Sequence, residues 1–305
     1  MSGEPASIRD SVSVLGLGAM GSALASVFIR KGWKTTLWNR SPDKAKELTA
    51  QGGILATSAA ECIRSSPLSI ICVKDSDAFN SLFAGQTFGH DPIIVNYTTA
   101  SPSQAKEAER AVRATSISRY LQGAILTPPV NVGQPGAQFY YSGSKSAFNN
   151  GKSALNLLGT PHYLDEAVES AVVYDTIVLS SFYGLTAGFI QSMAVLRKSN
   201  IYEKGCMESF TRQAIIPTMR QVVESLAGIA RQMDEQKYTT EGGGPTNRSQ
   251  VESLHIMEAA VQEHGLKSLV FKPLLELMQR RFQRGGAEEE VSGLVEAMLE
   301  EEAKP

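Results

Sequence analysis

The chain has 305 residues, 42% of them hydrophobic and 20% charged, with a formal net charge of −2. That length accommodates two domains with ample core. The near-balanced charge, without a basic stripe, argues against nucleic acid as a partner, and three scattered cysteines and four histidines at no ligand spacing predict no metal.

Met1 to Asp10 is polar and lacks the apolar centre of a secretory signal. With a sparse, odd cysteine count, this sets the expectation of a cytoplasmic protein. Val12–Leu17 then forms an apolar, β-branched run that predicts a strand. It enters Gly16-Leu17-Gly18-Ala19-Met20-Gly21, and a helical pattern leaves over Met20–Lys31. Gly16 permits the tight turn, Gly18 lets backbone approach a pyrophosphate, and Gly21 lets helix pack on strand. Free N–H groups and the dipole at the helix start favour the phosphates. Strand, glycine turn and helix in this order predict a dinucleotide-binding domain.

A second strand, Lys34–Trp38, ends at Asn39-Arg40-Ser41, with Lys44 following. NAD sites usually place an acid here to hold the ribose hydroxyls. An acid would repel a 2′-phosphate, whereas Arg40 offers a planar charged fork, Ser41 a hydroxyl and Lys44 further charge. The expected cofactor is therefore NADPH. Val73 and Thr98, at the ends of later strands, complete the candidate cofactor contacts.

Further strands are predicted at Leu68–Val73, Ile93–Asn96, Tyr120–Leu126, Ala137–Ser142 and His162–Leu164. Helices lie between them at Pro42–Gln51, Ala59–Ser65, Asp77–Phe83, Pro102–Ala114 and Lys145–Leu158. This alternation predicts a doubly wound, mostly parallel sheet. From Asp165 onward the pattern is almost wholly helical. Asp165–Ser199 reads as one long helix, with Asp165 and Glu166 in its first turn and Arg197 and Lys198 in its last. At about 1.5 Å per residue it spans roughly 50 Å. Thr176–Leu196 holds no charge, which satisfies the length of a membrane span. Its scattered polar side chains and the lack of a second such segment favour a buried helix of a soluble protein. Its apolar circumference predicts helices from a second subunit, and Gly184-x-x-x-Gly188 either admits another backbone closely or is incidental.

Helices follow at Lys204–Asp234, with a bend at Pro217, then Arg248–Glu263, Ser268–Arg284 and Glu288–Glu301. The glycine-rich stretch Glu241–Asn247 reads as a flexible break, and the acids at Glu288–Glu290 and Glu300–Glu302 as solvated helix ends. The expected architecture is an α/β Rossmann domain (residues 1–165) joined by a long interdomain helix (166–199) to an all-α C-terminal domain (200–305).

Ligands of such sheets bind beyond the carboxyl ends of the strands. The Asn96–Pro102 loop and Thr127-Pro128-Pro129-Val130 fall there. Asp175 is the last charge before the uncharged stretch. Burial would raise its pKa and let it hold a proton near neutrality. Tyr183 lies about two turns on and about 80° round the helix, within reach of the same cleft. From spacing alone the pair more often satisfies a structural helix contact or a kink.

These segments together resemble the imine reductases. The likeness rests on Gly-Leu-Gly-Ala-Met-Gly with Trp-Asn-Arg-Ser, on Asn-Tyr-Thr-Thr-Ala-Ser-Pro, and on Tyr-Asp-Thr-Ile-Val-Leu-Ser-Ser-Phe-Tyr-Gly-Leu. It is closest to the fungal branch, which includes reductive aminases, and runs roughly from Val12 to Met298. The resemblance implies NADPH-driven reduction of a C=N bond, and a domain-swapped homodimer whose clefts combine one subunit's nucleotide domain with the other's helical domain. It implies Asp175 as proton-donating acid, Tyr183 as the tyrosine beside it, and Asn39, Arg40 and Ser41 as the 2′-phosphate clamp. Related hydroxyacid dehydrogenases carry a catalytic lysine near the position of Asp175; here no lysine occurs between Lys152 and Lys198. That counts against the alternative of a carbonyl or β-hydroxyacid oxidoreductase. Retention of Asp175 and the glycine turn counts against a catalytically decayed nucleotide-binding sensor or scaffold. Thr99-Ala100 stands where the fungal loop carries Asn-Gly, and the resemblance implies that a pocket tryptophan of the better-known reductive aminases is replaced near Thr218. With Pro128, Val130 and Gln250, Thr99 and Thr218 form the candidate substrate pocket for an imine, or for a carbonyl plus an amine.

Overall fold

The computed structural model describes residues 10–240 and 244–300, so Glu241–Gly243 of the glycine-rich stretch and Glu301–Glu302 lie outside the described residues. Eight strands form one sheet: β1 (Ser11–Leu15), β2 (Lys34–Trp38), β3 (Ile54–Leu55), β4 (Leu68–Ile71), β5 (Ile93–Asn96), β6 (Tyr120–Ile125), β7 (Gln138–Gly143) and β8 (Thr160–Tyr163). Their order is β3-β2-β1-β4-β5-β6-β7-β8. Strands β1 to β6 pair in parallel, as helices between successive strands require. A short 3₁₀ turn, Pro129–Asn131, replaces a crossover helix between β6 and β7, and that pair runs antiparallel. The sequence pattern does not reveal β3, whose two residues are both exposed and too few to show a period.

Helices cover both faces: α1 (Ala19–Arg30), α2 (Lys46–Ala50), α3 (Ala59–Arg64), α4 (Ser76–Ser81), α5 (Pro102–Arg113) and α6 (Lys145–Leu158). One core packs Leu24 and Phe28 of α1 and Phe148 and Leu155 of α6 on Val12, Ile70 and Val95. The other packs Ile63, Phe79 and Val112 on Leu15, Ile71 and Ile94. The start of α5 is fixed by a reciprocal capping box between Ser101 and Gln104, with Pro102 pre-set in the first turn.

The long helix α7 runs over Glu169–Lys198. It starts later than the sequence predicts because Asp165 does not join its first turn. The Asp165 carboxylate instead accepts from the Ala167 N–H and the Ser170 hydroxyl, both at 2.9 Å. Two compact units divide between Ser180 and Ser181, inside α7. Among the described helices, α7 alone is long and apolar enough to cross a membrane. It is far from buried all round: Ile177, Phe182 and Ile190 are each more than half exposed, at 58%, 56% and 56%.

The second unit adds α8 (Cys206–Phe210), α9 (Ile216–Glu235), α10 (Asn247–Glu263), α11 (Phe271–Gln283) and α12 (Leu294–Leu299). A π-turn, Thr211–Ile215, joins α8 to α9. It stands where the sequence predicts a bend, because Pro217 lacks an N–H and its ring would strike the carbonyl one turn back. Gln191, in the uncharged stretch of α7, is buried, and its Oε1 accepts from the Leu269 N–H at 2.6 Å.

Of the acids predicted as solvated helix ends, Glu288 is exposed, whereas Glu289 and Glu290 are drawn into the fold. Glu289 is bidentate with Arg281 at 2.7 and 2.8 Å, and Glu290 accepts from the Gly244 N–H at 3.0 Å and Gln232 at 2.8 Å. Glu288 pairs with Arg248, and Glu300 with Arg284. These bonds accompany two short 3₁₀ turns, Gly286–Glu288 and Val291–Gly293, with Glu289 and Glu290 extended between them, so α12 is shorter than the predicted helix.

Candidate active site

The glycine turn follows β1. Gly16 adopts φ +90°, and a Cβ there would lie 2.2 Å from the Cys72 carbonyl oxygen. A Cβ on Gly21 would lie 1.8 Å from the Gly16 oxygen, so the helix closes on the turn itself. A Cβ on Gly18 would meet nothing within 4 Å. The start of α1, Ala19 and Met20, carries no side-chain cap. An open backbone at Gly18 before an uncapped helix N-terminus fits a pyrophosphate. Gly16→Ala is therefore expected to destabilise the protein by more than about 1 kcal/mol, since φ is positive and the space is filled. Gly18→Ala is expected to leave the melting temperature nearly unchanged while weakening NADPH binding. Thermal melts and NADPH titrations of both variants check this.

Asn39 ties the turn to the next strand end. Its Oδ1 accepts from the Leu17 N–H at 2.9 Å, and its Nδ2 donates to the Ser41 carbonyl at 3.0 Å. Arg40, Ser41 and Lys44 are exposed beside it, and no carboxylate occupies residues 39–42. The site thus presents cations and a hydroxyl where a 2′-phosphate would lie. Val73 follows β4, and its N–H donates to Thr98 Oγ1 after β5 at 3.4 Å. Thr98 is buried and Thr99 exposed. Pro128 and Val130 follow β6, and Val130 is 84% exposed. All these predicted residues stand at the carboxyl ends of parallel strands. Cys72 lies among them, but burial pushes its thiol up to about 11, so it stays protonated near neutrality and is no nucleophile.

Asp175 is half-buried in α7, and desolvation raises its carboxyl above the ordinary aspartate value. Tyr183 is 63% exposed, on the part of α7 that belongs to the second unit. Thr218, just past the π-turn, lines a mainly apolar cavity of about 790 Å³ with Phe189, Phe210, Ile215 and Met219. Gln250 lies in the first turn of α10, which Thr246 caps. Sequence reasoning named Asn96 only as the start of the Asn96–Pro102 loop and missed Tyr120 and Gln122; the three are buried and bonded to one another beneath Thr98. The trace in the sequence was a polar residue ending one apolar strand run and another interrupting the next.

Residues 11–173 match the NAD binding domain of 6-phosphogluconate dehydrogenase, and residues 168–300 match the NADPH-dependent reductive aminase-like C-terminal domain. An NADPH-dependent reductive aminase of Aspergillus oryzae is 32% identical over 292 residues, covering 93% of this chain and 96% of that protein. A reductive aminase from Aspergillus terreus, solved with NADPH and ethyl-5-oxohexanoate, superposes with a TM-score of 0.87 at 30% identity, over 96% of this chain and 99% of that one. An imine reductase from a Pseudomonas species gives 0.86 at 26% identity, over 94% and 99%. With a glycine turn open to a pyrophosphate, cations at the second strand end and relatives matched from end to end, the chain belongs to the family of NADPH-dependent reductive aminases and imine reductases, oxidoreductases that act on C=N bonds.

Proposed function

We propose that this chain reduces preformed cyclic imines or iminium ions best, and couples a ketone with a free amine more weakly. The observation that carries the reading is Asp175: a desolvated carboxyl of raised pKa, on a helix with no lysine between Lys152 and Lys198. NADPH supplies the hydride. Asp175 holds a proton for the substrate nitrogen, or as carboxylate stabilises the iminium charge, where a lysine would oppose it. Tyr183 orients the substrate beside it. Asn39, Arg40, Ser41 and Lys44 hold the 2′-phosphate, and the turn from Gly16 to Gly21 holds the pyrophosphate. Thr99, Pro128, Val130, Thr218 and Gln250 shape the substrate pocket. Thr218 gives it a smaller, more polar wall than the tryptophan of the better-known fungal aminases, and Thr99-Ala100 replaces their Asn-Gly, which is why amine coupling is placed second.

NADPH consumption on a cyclic imine, on a ketone with and without amine, and the reverse assay on hydroxyacids with NADP⁺, test the proposal. Fastest turnover on the imine is expected. Turnover confined to ketones alone or to hydroxyacids would overturn it.

We further propose a homodimer of domain-swapped form, in which one subunit's nucleotide domain and its partner's helical domain share each cleft. Support comes from the exposed apolar side chains of α7, from Val222, Val223 and Leu226 exposed on α9, and from open space over Gly184 and Gly188. Each large apolar side chain taken from water contributes about 1.5–3 kcal/mol, so a second copy of α7 is a strong occupant. Light scattering at low micromolar concentration is expected to give twice the 32.9 kDa chain mass. A folded, active monomer would contradict the proposal.

A further inference from the structure

A saturated polar cluster lies under the loop that follows β5, and nothing in the reaction so far uses it. Asn96, Tyr120 and Gln122 are each 1% exposed, and Asn96 and Gln122 are register partners across β5 and β6. Gln122 Oε1 accepts from the Tyr120 hydroxyl at 2.6 Å and from Asn96 Nδ2 at 3.2 Å. Its Nε2 donates to the carbonyls of Asn96 at 3.1 Å and Thr98 at 3.5 Å. A primary amide has two donor hydrogens and an acceptor with two lone pairs, so Gln122 is fully bonded. Asn96 Oδ1 accepts from the Thr98 N–H at 2.9 Å, and its Nδ2 also reaches the Tyr120 hydroxyl at 3.1 Å.

Thr98 is thereby gripped at both its N–H and its carbonyl by side chains of two neighbouring strands. Its own hydroxyl accepts from the Val73 N–H at 3.4 Å, which joins the loops after β4 and β5. The adjacent Tyr97 is held as firmly. A Cβ on Gly123 would come within 2.3 Å of its ring, and its hydroxyl shares a 2.5 Å bond with that of Tyr141. An apolar strand interior would pack without these groups. A buried polar network costs stability unless every member is satisfied, and what a satisfied one supplies is a unique geometry.

We propose that Gln122 is a positioning residue for the nicotinamide ring. It acts through Asn96 and the Thr98 carbonyl to set residues 97–99 at the carboxyl ends of β4 and β5. The phosphates are held separately, by the turn after β1 and the end of β2, on the other side of the point where the strand order reverses. The inference rests on the reductase reading above and locates the part of the nucleotide domain that aligns the cofactor for transfer.

The test is Gln122→Leu, which keeps the side-chain bulk and removes all four bonds. NADPH affinity is expected to hold, because the phosphate contacts are untouched. The rise in NADPH fluorescence on binding, which reports ring immobilisation, is expected to shrink. On a preformed imine, kcat should fall about 10- to 100-fold with KM little changed, the cost of a small misplacement. The deuterium isotope effect with NADPH labelled at the transferred position should grow. Tyr120→Phe, which loosens Gln122 but leaves its bond to the Thr98 carbonyl, should fall between the two; it supplies the same readouts if Gln122→Leu does not fold. Unchanged fluorescence enhancement would overturn the inference whatever substrate the enzyme proves to use. So would a kcat loss that only tracks lost folded protein, with the isotope effect unmoved. Wild type inactive on imines would overturn the reductase reading instead, and the fluorescence would still decide the role of Gln122.

Discussion

Replacing Asp175 with asparagine is expected to slow reduction of a preformed cyclic imine about 10²- to 10⁴-fold while NADPH binds as before. Asparagine keeps the shape and the hydrogen-bonding capacity but cannot release a proton. The pH dependence has a definite sign. Burial raises the carboxyl above its ordinary value, so the protonated form persists to higher pH, and proton-assisted turnover falls as pH rises through that raised value. The Asp175→Asn variant should lack this limb. Stability moves the same way. A carboxyl whose folded pKa exceeds its unfolded one binds its proton more tightly in the native state. It therefore lowers stability as pH rises from the unfolded value to the folded one. Removing the charge should leave the neutral-pH melting temperature equal or higher. Steady-state rates across pH, with thermal melts, measure both effects. Tyr183→Phe should cost less, since that hydroxyl orients rather than supplies the proton. Unchanged imine turnover in Asp175→Asn would return Asp175 to a structural role.

Arg40→Ala is expected to weaken NADPH binding about ten- to a hundredfold, the loss of a charge-assisted pair of about 1.5–3 kcal/mol. NADH, which lacks the 2′-phosphate, should bind both proteins alike. The specificity of the loss matters because Arg40 is exposed and makes no bond that shapes the turn, whereas Asn39 beside it does. Calorimetric titration of both cofactors into both proteins decides it. Equal affinity of wild type for NADH and NADPH would remove the phosphate clamp from the account.

The nucleotide end of the site was legible because its demands are local. Gly16 needs a positive φ, Gly21 a close approach and Gly18 open space, and each can be argued from a residue and its neighbours in sequence. The strand–helix alternation gave the sheet for the same reason. What stayed hidden depends on pairing between distant segments. The Asn96–Gln122 cluster exists only because β5 and β6 lie in that register, and the polar letters alone do not say which faces which. The acids at Glu289 and Glu290 looked solvated because Arg281 and Gln232, their partners, are remote or lie on another helix. Asp175 stood out as the last charge before an uncharged run, and its desolvation follows from that setting.

The π-turn at Thr211–Ile215 is in effect one extra residue carried by a helix that never breaks. Everything from Ile216 to Glu235 is phased to that extra residue. Deleting one position here would restore an ordinary helix but rotate the following face by about 100°. The wall that Thr218 and Met219 contribute to the cavity would swing away, and Pro217 would meet the carbonyl the π-turn spares it. This segment should therefore accept changes of letter far more readily than changes of length. Natural or engineered variation in the pocket wall is expected to proceed by substitution, with the residue count between Cys206 and Glu235 held constant.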